Sequence, residues 1–390
     1  MSRSTTFTVF FLAVFLQAGA YGLTFLLPDL FATFNTDARA VGEMLGITAL
    51  ATITIVYFAG HLADNLGRLR TLSMACVSIA VALALYGSAA GSTLQLIIAS
   101  ILLGIGWGLT YALCPVVLTR LIAPDQGVRF FTMLSIFVMA GFGLSPVMAS
   151  IMFKFGFGVA DAFYVTAVLC AISAILFWIL ITPIKIHALN KAPEAPSRLS
   201  LATVALILKS PAWLPVTMVT LGAAVFAGMN NFQTVFAAER GLDYAAYFLT
   251  YTLTVVVLRA LLAAFKGGAN PYMMIATLQY IMAASVILFI VMGSSFPLYI
   301  LVAILFGLGY GASYPILVAM AAADADKSMV PQTLQLFALT YFIGLFGFPL
   351  LAGIMITSWG SLSVLITTAA MAIIEATLAL RRAIQRRHTT

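Results

Sequence analysis

The chain has 390 residues, 63% of them hydrophobic and only 8% charged, with a mean hydropathy of +1.10. A water-soluble domain carries about 25% charged residues, so this sequence cannot cover a water-facing surface and reads as an integral membrane protein. Its formal charge of +7 does not indicate a nucleic-acid partner. The basic residues fall in short gaps between apolar runs and at the C-terminus, as cytoplasmic anchors do.

The first apolar run starts at Phe7. Ala18-Gly19-Ala20 has the small-x-small form of a signal-peptidase site, but the run continues to Leu30. That exceeds the about 7–15 residues of a signal h-region, so a retained first transmembrane helix is expected over 7–30. Further runs long enough to span lie at 43–63, 71–90, 94–119, 130–153 and 159–182, then at 212–238, 244–265, 271–292, 296–320, 332–356 and 361–380. Twelve helices result, and none of the runs alternates as a transmembrane β-strand would. Cys76, Cys114 and Cys170 all lie inside these runs. Neither a disulfide framework nor metal-ligand spacing is present, and no metal or cofactor is expected.

Thr182 to Pro211 is the longest polar interval and reads as a linker, within which Ser200 to Lys209 is expected as a short amphipathic surface helix. The predicted layout is a six-helix bundle over 1–182, a cytoplasmic linker over 183–211, a second bundle over 212–381 and a basic tail over 382–390. With the N-terminus inside, only Arg39, Lys154 and Arg240 of the 19 Lys and Arg fall outside. The positive-inside rule then puts both termini in the cytoplasm, as an even helix count requires.

The two halves repeat. Gly104-Ile-Gly106-Trp107-Gly108-Leu-Thr-Tyr111 in the fourth helix matches Gly307-Leu-Gly309-Tyr310-Gly311-Ala-Ser-Tyr314 in the tenth, at an offset of 203 residues from Tyr111 to Tyr314. Gly141-Phe-Gly-Leu-Ser-Pro146 in the fifth and Gly344-Leu-Phe-Gly347-Phe-Pro349 in the eleventh give the same offset from Pro146 to Pro349. Small residues let membrane helices approach closely, which accounts for the glycines but not for their fixed spacing. Duplicated halves are typical of secondary transporters, whose substrate sits near the midplane.

Between the second and third runs stands Gly60-His61-Leu62-Ala63-Asp64-Asn65-Leu66-Gly67-Arg68-Leu69-Arg70. Its pattern, Gly-x-Leu-Ala-Asp-x-x-Gly-Arg-x-Arg, resembles the cytoplasmic loop signature of the major facilitator superfamily of transporters. Helix count, repeat and linker position fit the same resemblance over nearly the whole chain. It implies an all-α fold of twelve transmembrane helices in two pseudo-symmetric six-helix bundles, and a gating loop of Gly60, Asp64, Gly67, Arg68 and Arg70. By the same resemblance Asp64 complements the N-terminal end of the eleventh helix near Pro331 and Gln332, as the helix dipole favours. Gly67 allows a tight turn, and Arg68 and Arg70 hold the loop through ion pairs, with Asp125 a candidate partner. The counterpart around Ala263 to Asn270 has lost the acid.

The resemblance also implies that the first, fourth, seventh and tenth helices line a central cavity. Gln17 and Tyr21, Trp107 and Tyr111, and Tyr310 and Tyr314 each lie four apart and share a helical face. Asn230, Asn231 and Gln233 cluster in the seventh run, where amides in hydrocarbon must meet partners or a wet cavity. For the tyrosines, filling helix interfaces is an equal alternative. Asp29 is the candidate for proton coupling, being on a lining helix, with Glu375 next; the ordinary reading of both is a solvated interfacial acid. Arg259, near the end of its run, is expected to snorkel.

The expected function is movement of a small organic molecule, a drug or metabolite, across the inner (plasma) membrane by alternating access. Export is the leading direction, with proton antiport as an option; uptake of a sugar, nucleoside or carboxylic acid is the alternative. The fifth helix, Gly141 to Ser150, is similar to the antiporter signature Gly-x-x-x-Gly-Pro-x-x-Gly-Gly, with Ser145, Ala149 and Ser150 in place of three glycines. Ser100 stands where many proton antiporters carry an arginine. An enzyme or receptor is disfavoured by the lack of a His/Asp/Glu cluster, and a channel by the lack of a charge ring or carbonyl filter. A monomer in the lipid bilayer is expected. Scarce mid-membrane charge favours a neutral, zwitterionic or amphipathic substrate, recognised through amides and aromatic rings.

Overall fold

Long runs of Leu, Ile, Val, Phe and Ala cross hydrocarbon as α-helices, because only then is every backbone amide satisfied within its own segment. The computed structural model describes residues 1–122, 127–188, 199–263 and 270–387, and none of these residues lies in a strand. Twelve helical segments among them are long and apolar enough to cross a membrane. The chain forms two compact units, Met1–Glu194 and Ala195–Thr390.

In the first unit, α1 (Arg3–Leu23), a 3-10 turn (Thr24–Leu26) and α2 (Leu27–Ala32) make the first span. Then come α3 (Ala38–Leu66), α4 (Arg68–Ser88), α5 (Thr93–Leu121), α6 (Gly127–Lys154), α7 (Val159–Ile179) and the short α8 (Ile181–His187). The first span is interrupted because Pro28 has no amide to bond the Thr24 carbonyl. The Leu27 amide bonds that carbonyl instead, in the tighter i to i+3 pattern. Helix α4 packs on α5 and α7, α3 on α5, and α1 on α6 and α7.

The second unit opens with α9 (Leu201–Lys209), capped by the Ser200 hydroxyl, which accepts from the Thr203 amide. Only Ile207 of α9 is buried, and Leu201, Leu206 and Leu208 are left exposed. There follow α10 (Trp213–Asn230), α11 (Gln233–Ala238), α12 (Tyr244–Ala263), α13 (Pro271–Val291) and α14 (Phe296–Asp324). The last two spans are α15 (Val330–Phe342), a π-helical segment (Ile343–Gly347) and α16 (Phe348–Trp359), then α17 (Ser361–Arg387). Helix α13 packs on α14 and α17, α12 on α14, and α10 on α17, α15 and the π segment.

The 203-residue offset reappears as packing. Gly104 and Gly108 lie against α3, where an added Cβ would come within 2.5 Å of the Thr48 carbonyl oxygen and 2.6 Å of Ile55. Their counterparts Gly307 and Gly311 lie against Thr254 and Val255 of α12. Gly106 and Gly309 turn the other way, onto α4 and α13. Gly141 meets Phe15 and Ala18 of α1, as Gly344 meets Thr220 and Ala223 of α10.

Two expectations change. The run over 212–238 is not one helix but two, broken at Asn231 and Phe232. Several helices also run beyond the predicted ends, and at the starts of α1 and α3 a polar side chain, Ser2 and Asp37, caps the helix rather than stopping it. Asp37 accepts from the Ala40 amide to start α3 five residues before the expected position 43. Asp125, positions 264–269 of the degenerate loop, positions 189–198 of the linker and His388 lie outside the described residues.

Candidate functional site

In the first unit, α1 and α5 bring Tyr21 and Trp107 into a stack, with ring centroids 5.2 Å apart. Phe142 of α6 closes on both, 4.6 Å from Tyr21 and 5.2 Å from Trp107, and Phe25 meets Tyr21 edge-on at 5.3 Å. Gln17, one turn before Tyr21, is buried. Its Oε1 and the Trp107 Nε1 are enclosed and have no hydrogen-bond partner among the described residues. Tyr111 is half-buried. Sequence reasoning missed Phe142, which is four residues before the proline of a motif read only for its small residues.

In the second unit, Tyr310 of α14 stacks on Phe226 of α10 at 4.5 Å and hydrogen-bonds Tyr341 of α15. Tyr314, half-buried, meets Tyr341 edge-on at 5.2 Å. Asn230 and Asn231 donate through Nδ2 to the Phe226 and Ala227 carbonyls, 2.8 and 3.1 Å away. Such i to i−4 side-chain bonds compete with the helical ladder, and they account for the break after α10 without a proline. Gln233, first in α11, donates through Nε2 to the Tyr299 hydroxyl at 2.8 Å. The Asn230 Oδ1 and Gln233 Oε1 are buried without hydrogen-bond partners among the described residues. Each unit thus has its first span broken and an amide oxygen left unsatisfied on that span.

The loop motif is a one-residue joint. Gly67 ends α3 at φ +90° and α4 starts at Arg68. The left-handed φ is open to glycine at no steric cost. Asp64 sits in the last turn of α3, and Arg68 and Arg70 in the first turn of α4. Helix dipoles disfavour an acid at a C-terminus and cations at an N-terminus, so all three charges are placed against their own helices. Asp64 and Arg70 are exposed, and Gly60 would meet nothing within 4 Å if it carried a Cβ. Ser100 is a structural tie, its hydroxyl 2.7 Å from the Tyr86 hydroxyl and donating to the Leu96 carbonyl.

The charged residues differ most from expectation. Asp29 is part-buried in the first turn of α2, the position that helix dipoles favour for an acid. Glu375 is not a solvated interfacial acid: it is 0% exposed, and its Oε1 accepts from Gln279 Nε2 at 2.7 Å. Arg259 does not snorkel. It is 3% exposed and donates through Nε to the Gly311 carbonyl at 3.0 Å, with Tyr251, Tyr310, Tyr314 and Tyr341 in electrostatic reach. Position alone could not show either burial, because it comes from neighbouring helices. Among the described residues no group of His, Cys, Asp and Glu is arranged to hold a metal.

Residues 9–348 match the family model of the Major Facilitator Superfamily. No curated protein matches the sequence. Among solved structures, the fold is similar to the human organic anion transporter MFSD10 (TETRAN), with a TM-score of 0.68 and 14% identity over 97% of this chain and 100% of that one. It is also similar to a mutant form of the nucleoside transporter NupG, with a TM-score of 0.73 and 17% identity over 96% and 99% of the two chains. At these identities the structural likeness carries the fold alone, whereas the family model spans most of the sequence. The chain belongs to the Major Facilitator Superfamily.

Proposed function

We propose that the protein is a secondary transporter that moves a small organic molecule by alternating access, in the plasma (inner) membrane with both termini cytoplasmic. The observation that carries the substrate class is the set of buried oxygens without partners, Gln17 Oε1, Asn230 Oδ1 and Gln233 Oε1, each in a unit that also holds a stacked aromatic pair. A buried acceptor left unsatisfied costs about 1–3 kcal/mol, so a ligand that donates to it recovers that energy. The favoured substrate therefore has a flat ring for the aromatic faces and several N–H or O–H donors, as a nucleoside-like or hydroxylated aromatic metabolite has. The nucleoside transporter among the similar folds is consistent with this chemistry. Export is supported by the small-residue and proline pattern of Gly141 to Ser150.

Uptake is the second reading, and Ser100 counts against the proton-antiport option for export. At the position where many proton antiporters carry an arginine, this serine is committed to Tyr86 and Leu96.

A thermal-shift screen of purified protein with nucleosides, hydroxylated aromatics, organic anions and cationic drugs tests the substrate class, since a ligand of the folded state raises apparent stability. Donor-bearing aromatics should stabilise, and Gln233→Ala and Trp107→Phe should weaken the best of them about tenfold, the loss of roughly 1.4 kcal/mol. Unchanged affinity in either variant would remove that unit's residues from the substrate's contacts. Uptake of that compound into inside-out against right-side-out vesicles decides direction.

A further inference from the structure

The seam between the third and sixth spans of each unit is built alike, but its polar content differs. In the first unit, Cys76 of α4 meets Ser173 of α7 at 3.5 Å, and Ser173 donates to the Ala13 carbonyl at 2.8 Å. That contact is neutral and satisfied. In the second unit, Gln279 occupies the position 203 residues after Cys76, and its partner across the seam is Glu375.

One bond joins them, Gln279 Nε2 to Glu375 Oε1, and it leaves two oxygens over. Glu375 Oε2 and Gln279 Oε1 are both buried and without hydrogen-bond partners among the described residues. Both residues line a cavity of about 10 Å³, together with Tyr310, Ser313, Tyr314 and Tyr341. That volume suits one water-sized occupant. Gly222 of α10 keeps the carboxylate uncrowded, since a Cβ there would sit 3.2 and 3.3 Å from its two oxygens. The titratable groups facing the cavity are Tyr310 and Tyr314 of α14 and Tyr341 of α15, while α10 and α13 bring no charged residue to it. Arg259 of α12 is in electrostatic reach of those three tyrosines. Glu375 makes no ion pair among the described residues. A carboxylate enclosed in a bilayer-spanning bundle is costly unless a positive charge joins it.

We propose that Glu375 and Gln279 form a binding site for one monovalent cation, a proton or a sodium ion, inside the second unit. The two free oxygens and the surrounding hydroxyls are hard oxygen donors suited to either. If the transport reading holds, occupancy reaches the substrate through Tyr310, which lines the cavity and also stacks on Phe226. That coupling role rests on the transport reading, but the cation site itself does not.

The test uses the full chain in lipid nanodiscs without substrate. Melting temperature is followed against NaCl, with choline chloride holding ionic strength constant, and infrared difference spectra are recorded across a pH step. A sodium site gives a saturating rise in melting temperature, and a proton site gives a high-frequency carboxylic acid band of a buried group, resolved from those of the exposed acids, that appears on acidification. Whichever response the unmodified protein shows should vanish in Glu375→Gln, a substitution close in shape. Should that variant not fold, Gly222→Ala must shift the midpoint of the response at least threefold by crowding the carboxylate. Absence of both responses, their persistence in Glu375→Gln, or an unmoved midpoint in Gly222→Ala overturns the site. Substrate-induced stabilisation measured in the same samples reports on the transport reading separately.

Discussion

At Gly106 an added methyl would lie 2.4 Å from Ile79 Cγ1 and 2.6 Å from the Ala75 carbonyl oxygen; at Gly309 it would lie 2.6 Å from Met282 Cβ. Backbone cannot retreat as a flexible side chain can, so Gly106→Ala and Gly309→Ala should each lose about 1–3 kcal/mol in denaturant-monitored unfolding. Gly60 is the contrast, with nothing within 4 Å. Gly60→Ala should leave stability unchanged or raise it by up to about 1 kcal/mol. A drop in stability there would contradict the open space. Asp64 is exposed at a helix end whose dipole opposes it, so Asp64→Asn should leave the melting temperature within a degree or two while slowing transport severalfold. Normal transport rates in vesicles would remove the loop from the gating role. The glycines and the loop are legible in sequence because a local pattern states them. Glu375 and Arg259 are not, because their burial is supplied by Gly222, Gln279 and the α14 backbone, far away in the chain.

Span count and type follow from hydropathy, because bilayer thickness demands a minimum run of apolar residues. Continuity within a span does not, since a broken helix is as apolar as a straight one. The breaks at Thr24–Leu26 and Asn231–Phe232 and the π segment at Ile343–Gly347 became visible only through their hydrogen bonds. The three amides were legible as unusual in hydrocarbon, but their role in ending α10 depends on which carbonyls they reach. Gln233, which starts α11, depends on Tyr299, a residue that no sequence pattern singles out. Tyr299→Phe would leave the Gln233 amide a buried donor without an acceptor. It should destabilise the protein by about 1–3 kcal/mol, read as a lower melting temperature. Substrate affinity should fall with it if Gln233 belongs to the site.

At the scale of the molecule, the repeat states in sequence what the contacts state in space. Each half is compact by itself, and the buried charged residues among those described, Arg259 and Glu375, both belong to the second. A fragment covering 1–194 should therefore insert and melt cooperatively by itself in lipid. A broad, probe-dependent transition would show that its core is incomplete without the remainder. The partition at Glu194 and Ala195 also has a consequence for biogenesis. A ribosome adding about 5–20 residues per second needs roughly 10–40 s to make the second half after finishing the first. Throughout that interval the first six spans can already be settled in the bilayer. Nascent-chain quality control therefore meets a finished half and an unfinished one, and the half still being made carries the buried acid and the buried arginine.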